Sequence, residues 1–475
     1  GWGELAALSR SQHKSQGFGR AGERGRVVEH LVHLAGTPAT DDLLSGIDTG
    51  WERFGPQAAG LTAALAQARQ TLERDRPEAA VPALLAAREA LDALPDGPRV
   101  RDARRAADAL LLRCLGVFAR AATAAPTGVA GGSVDVDLEI LVRRPHAAQL
   151  VAITLPDATR EVIDASLASD DAWRARRSVR IPDDTPVGAP FWLARDPEVG
   201  RYDVSDPDLL DQPQAAPPLV VRTEIRIGAR IVALDVPLEY ARTDRVHGER
   251  IERFLVAPPA SVTPLREAVL AVGGAATTLA VRVRAHRALA DAVVDVPAPA
   301  GWRVEPGEQR LTFAAAGEEK VVEFALHPQS GATAATARPR VRVGGAAWSW
   351  REDTIDYPHV PPQRVFRPAG VRVGTVDLER PAGLIGYIDG SGDTIAEDLA
   401  HVGMRVERID DATLAAGDLG RYRAIVVGIR AYNTRSALRR AHERLVGFAE
   451  RGGTVVVQYM TNSEWDPLPG PVGPY

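Results

Sequence analysis

Residues 383–404 read GLIGYIDGSGDTIAEDLAHVGM, residues 421–434 read RYRAIVVGIRAYNT and residues 453–462 read GTVVVQYMTN. Three short apolar runs, 384–388, 424–428 and 454–458, lead into Asp389, Arg430 and Tyr459. Runs of this length, bounded by turn residues and separated by stretches of helical period, predict parallel strands covered on both faces. Residues 394–402 carry Ile395, Leu399 and Val402 at helical spacing, with Glu397 and Asp398 between them. Ser391, Gly392 and Asp393 precede that helix, where they are placed to cap it and to offer free amides to an anion. A second helix is predicted over 438–451, with Leu438, Ala441, Leu445 and Phe448 inward, and Gly452 and Gly453 stop it. The pattern is that of a doubly wound module. Any site it has lies beyond the carboxyl ends of its strands.

Around this module, 475 residues imply about three or four domains. A hydrophobic fraction of 45% supports folded cores, and no apolar run approaches the roughly 20 residues of a membrane span. A net charge of −5 leaves no nucleic-acid footprint. Lysine occurs only at Lys14 and Lys320, so nearly all the basic residues are Arg, a bias that reads as coding rather than chemistry. Cys114 is alone, which excludes an intrachain disulfide and a thiol metal cluster; among Leu111, Leu112 and Leu115 it reads as a buried apolar residue.

The chain opens as a helix, with Trp2, Leu5 and Leu8 at three-residue spacing, followed by a loop containing Gly17, Gly19, Gly22 and Gly25. Three further helices are expected over 56–72, 77–94 and 100–122 from their Ala and Leu spacing. Arg88–Glu89 and 101–105 read as solvated charge on their outer faces. Residues 126–132 lead into β structure. Alternation over 133–142, 150–155, 173–181, 219–227 and 230–240 predicts a first sandwich. Its long loop, 182–214, is rich in Asp and Pro; Asp203, Asp206, Asp208 and Asp211 match no EF-hand spacing and read as solvated. A second, immunoglobulin-like sandwich is expected over 259–358, with strands at 279–283, 292–296, 310–313, 320–326 and 339–343 and Trp302 in its core. Trp348 and Trp350 flank Ser349 on one face, expected to pack against the next domain rather than to stack on a sugar. Residues 358–368 are Pro-rich and read as an exposed, semi-rigid linker.

Several of these stretches together resemble one family. ELAALSRSQHKSQGFG, residues 4–19, is similar to the closing segment of the catalytic domain of the large PIG-L (LmbE-like) zinc-dependent N-deacetylases. GIDTGWERFG, ALLLRCLGVFARAA and the three stretches quoted first are similar to later parts of that family's long members. The resemblance implies residues 1–35 as the end of a deacetylase domain, 36–126 as a helical region, 127–258 and 259–358 as sandwiches, and 370–475 as a truncated class I glutamine-amidotransferase-like, flavodoxin-like α/β domain. The family's His-Pro-Asp-Asp and His-x-x-His zinc motifs do not occur in the sequence. No cofactor is therefore expected in this chain, zinc is expected upstream, and His13 is expected only behind the ligands.

For the last domain the resemblance implies a nucleophilic Cys after a central strand, and the domain has none. Ser391 has no His in a neighbouring predicted loop, since His401 and His442 lie on predicted helices. The remaining set at the strand ends is Asp389, Ser391, Gly392, Asp393, Arg430, Tyr432, Asn433, Gln458, Tyr459 and Asn462. It suits a polyol or an acidic sugar, with Arg430 as anchor and Asp389 as its partner or competitor. The expected function is that of the C-terminal portion of an N-acetyl hydrolase acting on glucosamine-type substrates, itself non-catalytic. The alternative is a glycan-binding or scaffolding module with a degenerate amidotransferase-like domain. The expected partner is a carbohydrate or amino-sugar conjugate, met outside the cytoplasm.

Overall fold

The computed structural model describes the chain except Lys14, Ser15, Phe18, Asp211, Pro381 and residues 463–465 and 471–475. It is a multidomain fold rich in strands, and it divides into two compact units, Gly1–Leu115 and Gly116–Tyr475.

In the first unit, helix Trp2–Ser11 leaves Trp2, Leu5 and Leu8 exposed. Helices Ala59–Thr71, Val81–Asp92 and Pro98–Cys114 pack around Leu61, Leu91, Val100 and Ala107. Arg88 is not on an outer face. It is 7% exposed and pairs through Nε with Asp108 at 3.0 Å and through Nη1 with Asp92, joining two helices. The helix expected to run to residue 122 stops at Cys114. Gly116 takes a φ of +60°, which turns the chain out of the helix, and Val117–Thr123 becomes a strand. That strand pairs antiparallel with Ser133–Val142 and parallel with Leu238–Tyr240.

The first β domain is organised around Arg230–Asp244. Its first half pairs with Val220–Ile227, and its second half with Val117–Thr123 and Gly248–Arg253, so one long strand joins both halves of a single eight-stranded sheet where two sheets of a sandwich were expected. On the exposed faces Arg pairs across strands with carboxylates. Arg176 grips Asp137 with two bonds of 2.7 and 2.8 Å, and Arg120 grips Glu249 at 2.7 and 3.0 Å. The Arg bias thus has a structural use, although exposed pairs of this kind contribute only up to about 1 kcal/mol each.

The second β domain extends further than the sequence implied. Its core includes Val262, Val281, Val294, Trp302, Phe324 and Val341, and also Ala369, Val371 and Val373. Strand Val371–Val376 pairs parallel with Ala268–Val272 and antiparallel with Ala335–Ala337, so the domain does not end at residue 358. The stretch read as an exposed linker is likewise corrected. Gln363–Pro368 pairs with Trp350–Ile355 over six residue pairs, and Phe366 is fully buried. Pro358, Pro361 and Pro362 sit in the turn of this hairpin, where a missing amide costs no ladder bond. Trp348 packs on the second domain's core, while Trp350 packs with Leu255, Ala257 and Phe366, so the two do not share a platform.

The last module holds four parallel strands in the order Arg405–Arg408, Leu384–Ile388, Tyr422–Val427, Thr454–Val457. The three expected strands are adjacent; Arg405–Arg408 is an addition. Helix Ile395–His401 follows the first strand, and the helix expected over 438–451 is two, Ser436–Arg440 and His442–Glu450. Ile388, Ile425, Val427, Leu438, Leu445 and Phe448 fill its core.

Candidate functional site

In this strand order the chain leaves Leu384–Ile388 toward one side and returns to its other side with Tyr422–Val427. The switch point of the sheet therefore lies between those two strands, where an open α/β sheet forms its crevice. The turns that follow them are Asp389–Asp393 and Gly428–Arg430.

These two turns are bound to each other. The Gly428 amide donates to Ile388 O at 2.8 Å, and the Ser391 amide donates to Ile429 O at 2.8 Å. The Ser391 hydroxyl donates to the same carbonyl at 3.2 Å. A Cβ at Gly390 would lie 2.0 Å from Ile429 O, and one at Gly428 would lie 2.6 Å from the Tyr387 hydroxyl, so both positions need glycine for this approach. Asp393 ties the junction. Its carboxylate accepts from the Tyr387 hydroxyl, from the Ile395 amide at 3.1 Å and from the Ile429 amide at 3.3 Å. Burial raises the Asp393 pKa, but the hydrogen bonds from Tyr387, Ile395 and Ile429 outweigh it and hold the carboxyl below its ordinary value. Burial, reinforced by Asp393, pushes the Tyr387 hydroxyl far up. Thr394 is the N-cap residue of helix Ile395–His401 and makes no side-chain cap bond; the Asp393 carboxylate before it serves the Ile395 amide. The Ser391 amide expected to face an anion is used internally.

Asp389 pairs with Arg408, not with Arg430. The register places Arg408 beside Tyr387 on the neighbouring strand, and its guanidinium lies 5.8 Å from the Tyr387 ring centre while also reaching Glu397. Sequence reading missed Arg408 because Arg405–Arg408 holds a single apolar residue, Val406, too little for a strand signal.

Arg430 occupies a left-handed backbone conformation, φ 55° and ψ 22°. Its amide donates to Tyr459 O at 2.8 Å, which joins the second and third strand-end turns. Its side chain is exposed and makes no hydrogen bond or ion pair with the other described residues. A non-glycine residue held there costs about 1–3 kcal/mol, a strain that concentrates at sites of function.

The other expected residues are mostly engaged. The Tyr432 hydroxyl, pushed up to about 12 by burial, meets His442 Nδ1 at 3.0 Å. Asn433 donates to Thr461 O at 2.9 Å and to Asp466 at 2.7 Å, and accepts from the Thr461 amide at 3.1 Å. Asn462 accepts from the Leu468 amide at 3.2 Å. Gln458 is half-buried with its amide on Val427 O, Tyr459 is 67% exposed, and Gly392 lies exposed on the first turn. His401 is half-buried and accepts from the Leu270 amide at 3.3 Å, and among the described residues no histidine is hydrogen-bonded to the Ser391 hydroxyl, which donates to Ile429 O.

His13 is exposed and lies 2.7 Å from Gln16 through Nδ1; Lys14, Ser15 and Phe18 of the same segment are outside the described residues. Asp203 pairs with Arg195, and Asp206 accepts from the Asp208 amide at 3.0 Å, while Asp211 is outside the described residues. Among the described residues no group of three or more His, Cys, Asp or Glu side chains is placed to hold a metal ion, so these residues do not fit the zinc of the deacetylase family.

No protein-family model matches the chain, and no curated protein matches it. Solved structures with partial likeness include Salmonella α-2-macroglobulin reacted with methylamine, at 10% identity and a TM-score of 0.19 over 56% of this chain. A protein of unknown function from Porphyromonas gingivalis matches at 12% identity and a TM-score of 0.16, over 54% of this chain and 99% of its own. A Bacteroides ovatus xyloglucanase in complex with a heptasaccharide matches at 9% identity and a TM-score of 0.17, over 41% of this chain and 45% of its own. The chain spans 17% of the length of the macroglobulin. Scores at this level carry no argument about fold or function.

Proposed function

We propose that this chain is the non-catalytic, ligand-binding portion of a PIG-L-like N-deacetylase, and that its last module is a flavodoxin-like, amidotransferase-like domain holding an acidic sugar at the strand ends. Arg430 carries this reading. It is an exposed guanidinium without a partner among the described residues, at the switch point of a parallel sheet and on a strained turn fixed by Tyr459. A guanidinium of this kind offers a fork to a carboxylate. Asp389, Asp393, Tyr432, Asn433 and Asn462 around it are engaged with other residues, so they shape the rim and leave Arg430 as its free cation among the described residues. The module has no cysteine nucleophile, and Ser391 has no hydrogen-bonded histidine among the described residues, so binding is the chemistry its residues support. On this reading the zinc motif belongs to sequence upstream, and the chain carries no step of the hydrolysis.

The test is saturation-transfer NMR on the full chain with glucuronate, glucosamine and N-acetylglucosamine. The reading expects glucuronate to bind and Arg430→Ala to remove the signal. Absence of any sugar signal, or a signal indifferent to Arg430→Ala, refutes it. A scaffolding role is the second reading. It is favoured by the contacts that dock helix Ile395–His401 on the second β domain, Arg266 to Asp398 at 3.1 Å and the Leu270 amide to His401.

A further inference from the structure

Strands Trp350–Ile355 and Gln363–Pro368 form a two-stranded sheet of their own, with no ladder to another strand among the described residues. A lone hairpin is marginally stable, so its contacts with the two β domains keep it in place. The Glu352 amide donates to Thr263 Oγ1 of the second β domain at 3.3 Å. Phe366 is fully buried with Leu255 and Ala257, and Val187 and Ala189 of the long loop pack on the same cluster. Outside that contact a cleft of about 570 Å³ opens between the long loop and the hairpin, lined by Pro186, Phe191, Trp192, Ile251, Pro361 and Pro362.

Charge from three parts of the fold meets behind the cleft. Glu352 and Arg364 come from the hairpin, Glu252 from Gly248–Arg253 of the first β domain, and Arg284 from Thr277–Ala285 of the second. Arg364 Nη1 lies 2.9 Å from Glu352, and its Nε lies 3.8 Å from Glu252. Arg284 lies 3.7 Å from Glu352 and also pairs with Glu319 at 3.2 Å, while Arg242 lies 3.5 Å from Glu252. His286 stands in this group with its side chain 3% exposed. Its Nε2 lies 3.3 Å from Ser261 Oγ and 3.6 Å from Glu352, and its ring meets the Phe366 ring edge-on at 5.6 Å between centres. Two guanidiniums already share Glu352, so an imidazolium would be a third cation with no water to solvate it. Burial first, then Arg284 and Arg364, push the imidazole down to about 3.

We propose that the Trp350–Pro368 hairpin is an acid-released latch, closed over the seam of the two β domains while His286 is neutral and opened when His286 takes up a proton. With the hairpin lifted, the imidazole leaves Glu352, Arg364 and Phe366 for water, where it titrates near 6.5. The open form therefore binds one more proton than the closed form between pH 6.5 and 3. Each further pH unit in that window favours opening about tenfold. Opening uncovers Leu255, Ala257 and Phe366 and removes the hairpin wall of the cleft. None of this involves Arg430.

The experiment is hydrogen–deuterium exchange of the full chain over a pH series, with protection corrected for the intrinsic rate at each pH. Amides of residues 350–355 and 363–368 should exchange before those of Thr277–Ala285, and their protection should fall about a hundredfold between about pH 7.5 and 4.5. His286→Gln keeps a hydrogen-bonding group beside Ser261 but takes up no proton, so its hairpin protection should stay level. If that variant does not fold, the parent decides alone. About tenfold of the fall belongs between about pH 7.5 and 5.5, above the ordinary carboxylate range. Hairpin protection independent of pH in the parent overturns the proposal, as does an equal fall in His286→Gln. Hairpin amides that exchange only together with Thr277–Ala285 report opening of the whole domain and overturn it too.

Discussion

Two polar clusters in the same compact unit are built on opposite terms. At the strand ends of the α/β module, Asp389 has Arg408, Asp393 has Tyr387 and two amides, and Asn433 has Thr461 and Asp466. Among the described residues of this set, Arg430 is the charged side chain left over, and it stands in solvent. Beneath the cleft, Glu252 and Glu352 each have side chains 5% exposed, and most of their ionic contacts are long. Arg242 lies 3.5 Å from Glu252, Arg284 lies 3.7 Å from Glu352, and Arg364 reaches Glu252 only at 3.8 Å. Convergence of polar residues is thus a poor measure of binding capacity. The unsatisfied atoms matter more, and where they sit decides their cost. An exposed guanidinium without a partner loses little, because water serves it. A buried carboxylate oxygen without one costs about 1–3 kcal/mol.

The sharpest way to break this contrast is Arg364→Ala. It removes the guanidinium shared by two buried carboxylates and leaves them only the long contacts to Arg242 and Arg284, and the expected loss is about 3 kcal/mol of unfolding free energy by urea titration. A loss near zero would show the cluster to be solvated after all. The next effect is pH-dependent. The His286 imidazole is pushed down to about 3, by burial first and then by Arg284 and Arg364. It sits against Ser261 and the Phe366 ring, and the Glu352 carboxylate 3.6 Å away is already held by Arg364. Unfolded, the imidazole titrates near its ordinary value of 6.5. Between pH 6.5 and 3 the unfolded chain therefore binds the extra proton, and stability is lost as pH falls through that window. His286→Gln should flatten the upper part of the window, where carboxylates do not yet titrate. At the strand ends the expected changes are smaller. Asn433→Ala removes both ties to the 461–466 segment and should cost about 1–3 kcal/mol. Arg430→Ala, with nothing to strand, should stay within about 0.5 kcal/mol.

The parts of the fold that were legible share a cause. Leu384–Ile388, Tyr422–Val427 and Thr454–Val457 each carry a short apolar run, although Val456 on the edge strand is 48% exposed, and their order follows from short helical crossovers. Val117–Thr123 was not legible, because Ala119, Ala121 and Ala122 continue the alanine pattern of the helix before it. Its strand character comes from tertiary pairing, over its whole length with Ser133–Val142 and at its end with Leu238–Tyr240, more than a hundred residues away. The Trp350–Pro368 hairpin was hidden by Pro358, Pro361 and Pro362, which lie in its turn. At the site, the residue types at the strand ends were readable, and their pairing was not. That pairing depends on Arg408 reaching across from a strand with one apolar residue, and on the left-handed turn at Arg430. The cleft had no local signal, since Glu252, Arg364 and Trp192 come together only through tertiary contacts.

The central claim is that recognition at the strand ends rests on Arg430 alone. Calorimetric titration of glucuronate into the parent chain, Arg430→Lys and Arg430→Ala tests it most directly. The account predicts binding by the parent, weaker binding by Arg430→Lys, which keeps the charge but loses the fork, and none by Arg430→Ala, with all three unfolding alike. Equal binding by the parent and Arg430→Ala, or a marked fall in the stability of Arg430→Ala, would contradict it.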